Sequence, residues 1–468
     1  MGTTRTTGLF IASLLLALIA AACSTGDSDD AQVDDGGTTT TAAAQESTTT
    51  TMPAEDESAT TTTAAADVVR TASFRGVTED TIRIGIGFWD TSAFGFGFFG
   101  DPDAVVGALT DGVNDRGGVN GRMLEPTVAG FNPADNAGML DACITLTEDA
   151  TVFAVLGGMR GDANFCVFEQ HETIHLGSQI SGEGEALERA RAPIAGIFAS
   201  GSLLEETYIA ELDERGWFDD AENLAVHYDG AVTLDRVGAV VDAALDDLGI
   251  EAAIEFNLDD LGLTEDELEN RGEIMRQQAR DAGVDKMLVL GAAASAFTTF
   301  AELDLDFASV DSSNFTTAVS GGIDPADLDG TIATTTRLDL PTDSIDAKTQ
   351  QCVDDAQAAL PDARFERPAA GVENSEEDPN HWPFTVLVCR NLDLFVQAAT
   401  AAGVDLTNDS FRSGLESLTD TSLPEIPFAS FGPGKYNGND TLRLVEFDGD
   451  ADEDGELIPL GDVVDLTP

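Results

Sequence analysis

Basic residues are scarce in this chain: 23 Lys and Arg stand against 86 Asp and Glu, a formal charge of −63. Only Lys286, Lys348 and Lys435 are lysines. A field of that sign repels nucleic acid and anionic lipid headgroups, so no nucleic-acid partner is expected. The acids run through the whole sequence and recur on helix faces such as Glu265-Asp266-Glu267-Leu268-Glu269, which reads as a general surface property rather than one acidic site. Histidine is scarcer still. His171, His175, His227 and His381 are the whole complement, with no HExxH and no GxSxG, so neither a zinc peptidase nor a Ser-His-Asp hydrolase has its parts. Acid pairs are too common here to point to a glycosidase. There is no CxxC spacing to suggest zinc. His171 and His175 stand at i, i+4, a spacing that on a helix makes a solvated face more readily than a metal pair. The expectation is a protein that is not an enzyme and carries no cofactor.

Long apolar runs are also missing, except at the start. Leu9–Ala22 follows a weakly basic opening and ends in small residues before Cys23. It is too short to span a bilayer comfortably and has the shape of a signal peptide, residues 1–22. Ile19-Ala20-Ala21-Ala22-Cys23 resembles the lipobox of bacterial lipoproteins, with Cys23 as the lipidated residue, which places the chain on the outer face of the cytoplasmic membrane. Residues 23–72 continue in Thr, Ala, Ser, Asp and Glu with scarcely a large apolar side chain. Such a segment cannot bury enough surface to offset its ordering entropy, and reads as a flexible tether. Four cysteines remain in an exported chain, and an even count suggests disulfides. Of the three pairings, Cys143 with Cys166 and Cys352 with Cys389 are expected, because each pair lies within one local region.

From Thr81 onward short β-branched runs alternate with longer amphipathic stretches, the rhythm of an α/β fold with parallel sheets flanked by helices. The strand candidates are Thr81–Ile86, Met123–Ala129, Val152–Leu156, Leu224–Tyr228, Ala252–Phe256, Lys286–Leu290, Phe315–Val319 and Thr331–Thr335. Later segments, Thr342–Leu360, Trp382–Ala402 and Asn408–Leu418, are helical by period. In Asn114–Arg122 the pair Gly117-Gly118 supplies the left-handed end of a helix, and Asn120-Gly121 suits a tight turn into the next strand.

The opening Gly76–Gly85, the Asn114–Arg122 turn, the Ala142-Cys143 helix running into Val152–Gly157, and the terminal Gly432-Pro433-Gly434-Lys435-Tyr436 segment together resemble type 1 periplasmic binding proteins. More narrowly they resemble the leucine/isoleucine/valine-binding-protein family of ABC importers, over about residues 74–448. That resemblance implies two Rossmann-like lobes joined by a three-crossover hinge, with lobe 1 from 73–200 plus 322–425 and lobe 2 from 201–321 plus 426–468. It implies a substrate-binding lipoprotein that captures an amino acid, amide or small carboxylate by closing its cleft and presents it to an ABC permease. A sensor of the same fold, signalling to a membrane partner without transport, is the alternative that sequence leaves open.

Open α/β sheets bind ligands outside the carboxyl ends of their strands. The loops there supply the candidates: Trp89, Asp90, Ser92 and Phe94 after the first strand, Met159, Arg160 and Gly161 after the third, and Gln179 and Ser181 after the next. The second lobe offers Tyr228, Asp229, Ser295 and Ser320. Arg160, in a Gly-rich turn, could grip a carboxylate in bidentate fashion; a surface ion pair is its competing role. Ala231-Val232-Thr233 and Ser320-Gly321-Gly322 lack the tyrosine and the acid that amino-acid binders of the family carry, which puts branched-chain amino acids in doubt. Two motifs carry little. Gly95–Gly100 matches GxGxxG but stands too far beyond its strand for a dinucleotide turn. Asp450–Gly455 begins like a calcium loop, yet Gly461 occupies the position of the bidentate Glu.

Overall fold

The computed structural model describes residues 69–467 apart from 91–99, 133–134, 160–161, 178–182, 200, 230, 259–264, 292–293, 321, 368–374, 376 and 452–454. The leader, Cys23 and most of the expected tether lie outside the described residues.

Two sheets organise the body. The first contains β1 (Thr81–Trp89), β2 (Met123–Phe131), β3 (Ala154–Gly157), β4 (Ile174–Leu176) and β5 (Ile194–Ala199), joined by β11 (Thr421–Leu423), β12 (Ile426–Ala429) and β13 (Asn437–Asn439). Its order is β11-β12-β13-β5-β4-β3-β1-β2. The second contains β6 (Leu224–Tyr228), β7 (Ile254–Asn257), β8 (Lys286–Leu290), β9 (Asp306–Ser309) and β10 (Ile332–Thr335), joined by β14 (Thr441–Asp448), β15 (Glu456–Pro459) and β16 (Val464–Asp465). Its order is β15-β14-β10-β9-β8-β6-β7, with β16 on β14. The same arrangement therefore occurs twice: the opening strand of each unit has the second strand on one side and the third on the other, all parallel.

Strands buried on both faces need apolar residues throughout. β8, Lys-Met-Leu-Val-Leu, is buried along its length. Met287 and Val289 enter the core under helices Glu265–Ala282 and Ala294–Phe300, while Leu288 and Leu290 enter the core under Gly201–Glu214 and Ala231–Leu248. Lys286 at its start is buried too, held by Asp220 at 2.6 Å and the Trp217 carbonyl at 2.7 Å. In the first sheet β3 divides its side chains likewise. Ala154 and Leu156 meet helices Pro102–Asp115 and Trp382–Ala402, whereas Val155 meets Asn136–Ile144. The expected turn is present: Gly117 and Gly118 have φ of 104° and 63°, and Asn120 and Gly121 have 50° and 80°. It delivers Arg122 into the interior, where the carbonyls of Thr78, Val404 and Thr71 receive its guanidinium at 2.7–2.9 Å.

Both expected disulfides form, Cys143–Cys166 and Cys352–Cys389. Each joins elements packed on the first sheet.

Three sequence-based expectations are corrected. Phe315–Val319 is not a strand but part of helix Ser313–Ser320. Its aromatic and β-branched residues serve a helical face instead, with Phe315 packed on Phe297 and Phe447 at ring separations of 5.5 and 5.4 Å, and Phe307 on β9 fills the strand position. His171 and His175 share no helix: His175 lies on β4, fully buried, and His171 ends the turn before it. His171 also neighbours Cys143 and Cys166, but the disulfide consumes both sulfurs, so that trio is no metal site. Finally, the chain changes sheets around residues 336 and 440 rather than at 322 and 426. β10 pairs with β9 and β14 in the second sheet, and β12 and β13 pair within the first. The turn-rich composition of 426–440 gave no sign of which sheet those strands would join.

Candidate functional site

The two sheets are tied together at one edge. β5 ends at Ala199 just before helix Gly201–Glu214; β10 ends at Thr335 and leads through 336–346 to helix Ala347–Ala359; β13 ends at Asn439 and β14 starts at Thr441. β13 runs parallel to β5, and β14 antiparallel to β10 with Thr335 opposite Arg443. The 336–346 and 440 crossings therefore link the carboxyl edge of one parallel set to the carboxyl edge of the other, and the Asn439 amide donates to the Thr336 carbonyl across them at 3.0 Å.

Each carboxyl edge has a point where neighbouring strands diverge to connections on opposite faces, the place where open α/β sheets take ligands. In the first sheet it lies between β1 and β3. There the Trp89 indole donates to the Gly158 carbonyl, and Asp90 N donates to Phe131 O at 2.9 Å. Gly157, with φ of 98°, ends β3 so close to β1 that a Cβ would stand 2.3 Å from the Gly87 carbonyl, so only glycine fits. In the second sheet the point lies between β6 and β8. Asp229 N donates to Leu290 O at 3.3 Å, and the Asp229 carboxylate fills the space that a side chain on Gly291 would need. Asn314 secures the neighbouring ends by donating to Gly291 O at 2.9 Å and Ser309 Oγ at 3.0 Å, and Thr334 Oγ1 donates to Val310 O at 2.6 Å.

The sequence-derived residues divide on this frame. Trp89 and Asp90 flank the first divergence point and Asp229 the second, while Ser295 sits half-buried in helix Ala294–Phe300 just after β8. Met159 follows β3, but its side chain is fully buried against Gly87 and the Cys143–Cys166 core. Tyr228 likewise belongs to the core with Val237 and Val241, and burial, reinforced by Glu255 and Asp242, holds its hydroxyl above the usual range. Ser320 is the last residue of its helix. Ser92, Phe94, Arg160, Gly161, Gln179 and Ser181 lie outside the described residues.

Two features have no counterpart in the sequence reading. At the end of β4, Gly177 (φ 81°) lies so close to Asn391 of helix Trp382–Ala402 that a Cβ would stand 1.8 Å from the amide oxygen. The second is a group of charges on the crossovers. Arg390, from that same helix, pairs with Glu425 and donates to the Pro424 carbonyl at 3.2 Å, both partners being buried. Leu338 N donates to Glu425 O at 2.8 Å. Arg337, two residues past β10, donates through Nε to Asp339 Oδ2 at 3.0 Å, and Asp339 Oδ1 accepts from Thr335 Oγ1 at 3.3 Å. The Asp339 carboxylate, aided by Glu425 and Asp311, raises the Arg337 pKa further above its ordinary value. Burial pulls Arg390 the other way, with Arg337 adding to it. Arg443 grips Asp343 with both terminal nitrogens at 2.6 and 2.8 Å, and Lys435 binds buried Asp440 at 2.6 Å. Arg443 and Asp343 stand 100 positions apart, and the Arg337, Arg390 and Lys435 pairs are brought to one place only by the crossovers, so local patterning carries no trace of the group.

No protein-family model matches the sequence, nor does any curated protein. Solved structures do match. A type 1 periplasmic binding protein from Bordetella pertussis Tohama I aligns with a TM-score of 0.57 at 13% identity, covering 81% of this chain and 100% of its own. An ABC transporter substrate-binding protein from Desulfitobacterium hafniense in complex with leucine gives 0.56 at 14% identity, covering 81% and 100%. A solute-binding protein of an ABC transporter from Rhodopseudomonas palustris HaA2, in complex with p-hydroxybenzoic acid, gives 0.57 at 11% identity, covering 83% and 98%. With its paired sheets, repeated strand order and linked carboxyl edges, the chain has the fold of the type 1 periplasmic binding proteins.

Proposed function

We propose that the chain is an extracytoplasmic solute-binding lipoprotein of an ABC importer, and that it captures a small polar or amino-acid-like molecule by cleft closure rather than transforming it. The observation that carries this reading is the presence of two strand-divergence points, one on each sheet, at edges tied together by crossovers. Residues from both edges can then enclose one small molecule, and closure about the crossovers would bury it. Trp89 and Asp90 on one side, with Asp229 and Ser295 on the other, are the proposed ligand contacts among the described residues; Arg160 is the proposed carboxylate grip beyond them. Met159 and Tyr228, buried in the two cores, support the loops. The leucine and p-hydroxybenzoate complexes of the neighbours favour a small carboxylate over urea or an amide. Anchoring through Cys23 rests on the lipobox-like sequence, and among the described residues no helix is long and apolar enough to cross a membrane.

A thermal-shift screen of the purified chain tests the reading, using amino acids, amides, urea and small aromatic and aliphatic carboxylates. A cleft ligand at 100 times its dissociation constant should stabilise the fold by about 2.7 kcal/mol. Failure of the whole panel on a folded protein would count against solute capture.

A further inference from the structure

Arg337 is placed to do more than brace the crossover. Among the described residues in the two positions after each parallel strand, on either sheet, its side chain is the one with a positive charge. Its backbone is fixed, since Arg337 N donates to Thr335 Oγ1 at 3.3 Å and the same hydroxyl donates to the Arg337 carbonyl at 3.2 Å. Its guanidinium is not consumed by the pair with Asp339. Nε and Nη2 both address one oxygen, Asp339 Oδ2, at 3.0 Å, and Nη1 has no partner among the described residues. The Arg337 side chain is 43% exposed, against 8% for Arg390 and 5% for Arg443 on the same crossovers. Those two are closed ion pairs, whereas Arg337 keeps an open donor face. In a chain of net charge −63 an anion reaching this edge needs such a face, because the surrounding field opposes it.

We propose that Arg337 is an anion anchor on the crossover side of the cleft, donating from its open face to a carboxylate of the captured molecule. The inference rests on the capture reading above and narrows it to carboxylates. Because Arg337 moves with the crossover itself, a carboxylate held there would engage the hinge and not one lobe alone, which couples binding to closure. Asp339 then acts as the competing anion that holds the fork in place while the cleft is empty.

The test is calorimetric titration of the full chain with leucine, benzoate and p-hydroxybenzoate, each beside its uncharged partner leucinamide, benzamide or p-hydroxybenzamide. Wild type should bind at least one acid and prefer it to its amide. Arg337→Gln should weaken that acid roughly 10- to 100-fold, the range of a lost charge-assisted hydrogen bond, and abolish the preference over the amide. Asp339→Asn should tighten the acid several-fold, which a merely structural role for the pair does not predict. Unliganded melting temperatures establish that the variants are folded. Acid binding within threefold of wild type in folded Arg337→Gln overturns the anchor, whatever Arg160→Gln does. Binding of amides only would overturn the anchor and leave capture standing. Binding of neither class by wild type would remove capture and anchor together.

Discussion

Two buried histidines stand on inner strands, His175 on β4 of the first sheet and His227 on β6 of the second. Both are fully buried. Burial lowers each imidazole to about 4. His175 keeps one hydrogen bond among the described residues, between Nε2 and the Gly157 carbonyl at 3.3 Å, while neither nitrogen of His227 has a hydrogen-bond partner among the described residues, its ring resting edge-on against Phe300 at 6.1 Å. Because the folded value lies below the unfolded value of 6.5, the unfolded chain binds more protons between pH 4 and 6.5. Stability is therefore full above that window and declines as pH falls through it, by about 2 kcal/mol per histidine at pH 5. His227→Leu should shrink the difference in unfolding free energy between pH 7 and pH 5 by about that amount, as read by chemical denaturation at the two values. An unchanged difference would mean that His227 is protonated in the folded state. Sequence showed these histidines to be few and unsuited to a catalytic set. It could not show that His175 is a core residue, because a β-strand of three residues, Ile174–Leu176, is too short to declare its period.

Long elements were the legible ones. The 21-residue helix Trp382–Ala402 occurs within the bounds that its period predicts, and the strands Leu224–Tyr228 and Lys286–Leu290, though short, are marked by their apolar runs. Short elements depend on what they pack against, as helix Ser313–Ser320 illustrates. The Cys143–Cys166 disulfide acts at the scale of elements: it fastens helix Asn136–Ile144 to the turn at Cys166–Gln170, closing a sequence separation of 23. The enclosed segment contains β3 and the Gly157–Met159 turn beside the first divergence point. Replacing both cysteines by alanine should lower the unfolding free energy by about 3 kcal/mol, the entropy regained by opening a loop of that length. Urea denaturation measures it; a loss below about 1 kcal/mol would show that packing alone holds the turn.

For the whole molecule, charge is the dominant global quantity. With 86 acids against 23 basic residues, most carboxylates must do without a cation, and self-repulsion opposes compactness. At 1 M salt the screening length falls to about 3 Å, so the melting temperature should climb by several degrees between low salt and 1 M sodium chloride. Equal melting temperatures in scanning calorimetry would mean that the acids are neutralised locally, by caps such as Asp101, Asp135 and Asp346 and by ion pairs. The sequence by itself determined this charge, the α/β class, the alternation of strands and helices, and both disulfides, because each depends on composition or on neighbours close along the chain. Asp90 and Asp229 were likewise legible as residues following parallel strands, whereas Trp89 is the last residue of β1 and not part of the loop after it. Only the tertiary structure decided which strands share a sheet, that Met159 and Tyr228 turn inward, and that Arg337, Asp339, Arg390 and Glu425 gather on the crossovers. Those outcomes depend on contacts between distant segments, where burial and charge pairing are set by which surfaces meet and not by the order of residues along the chain.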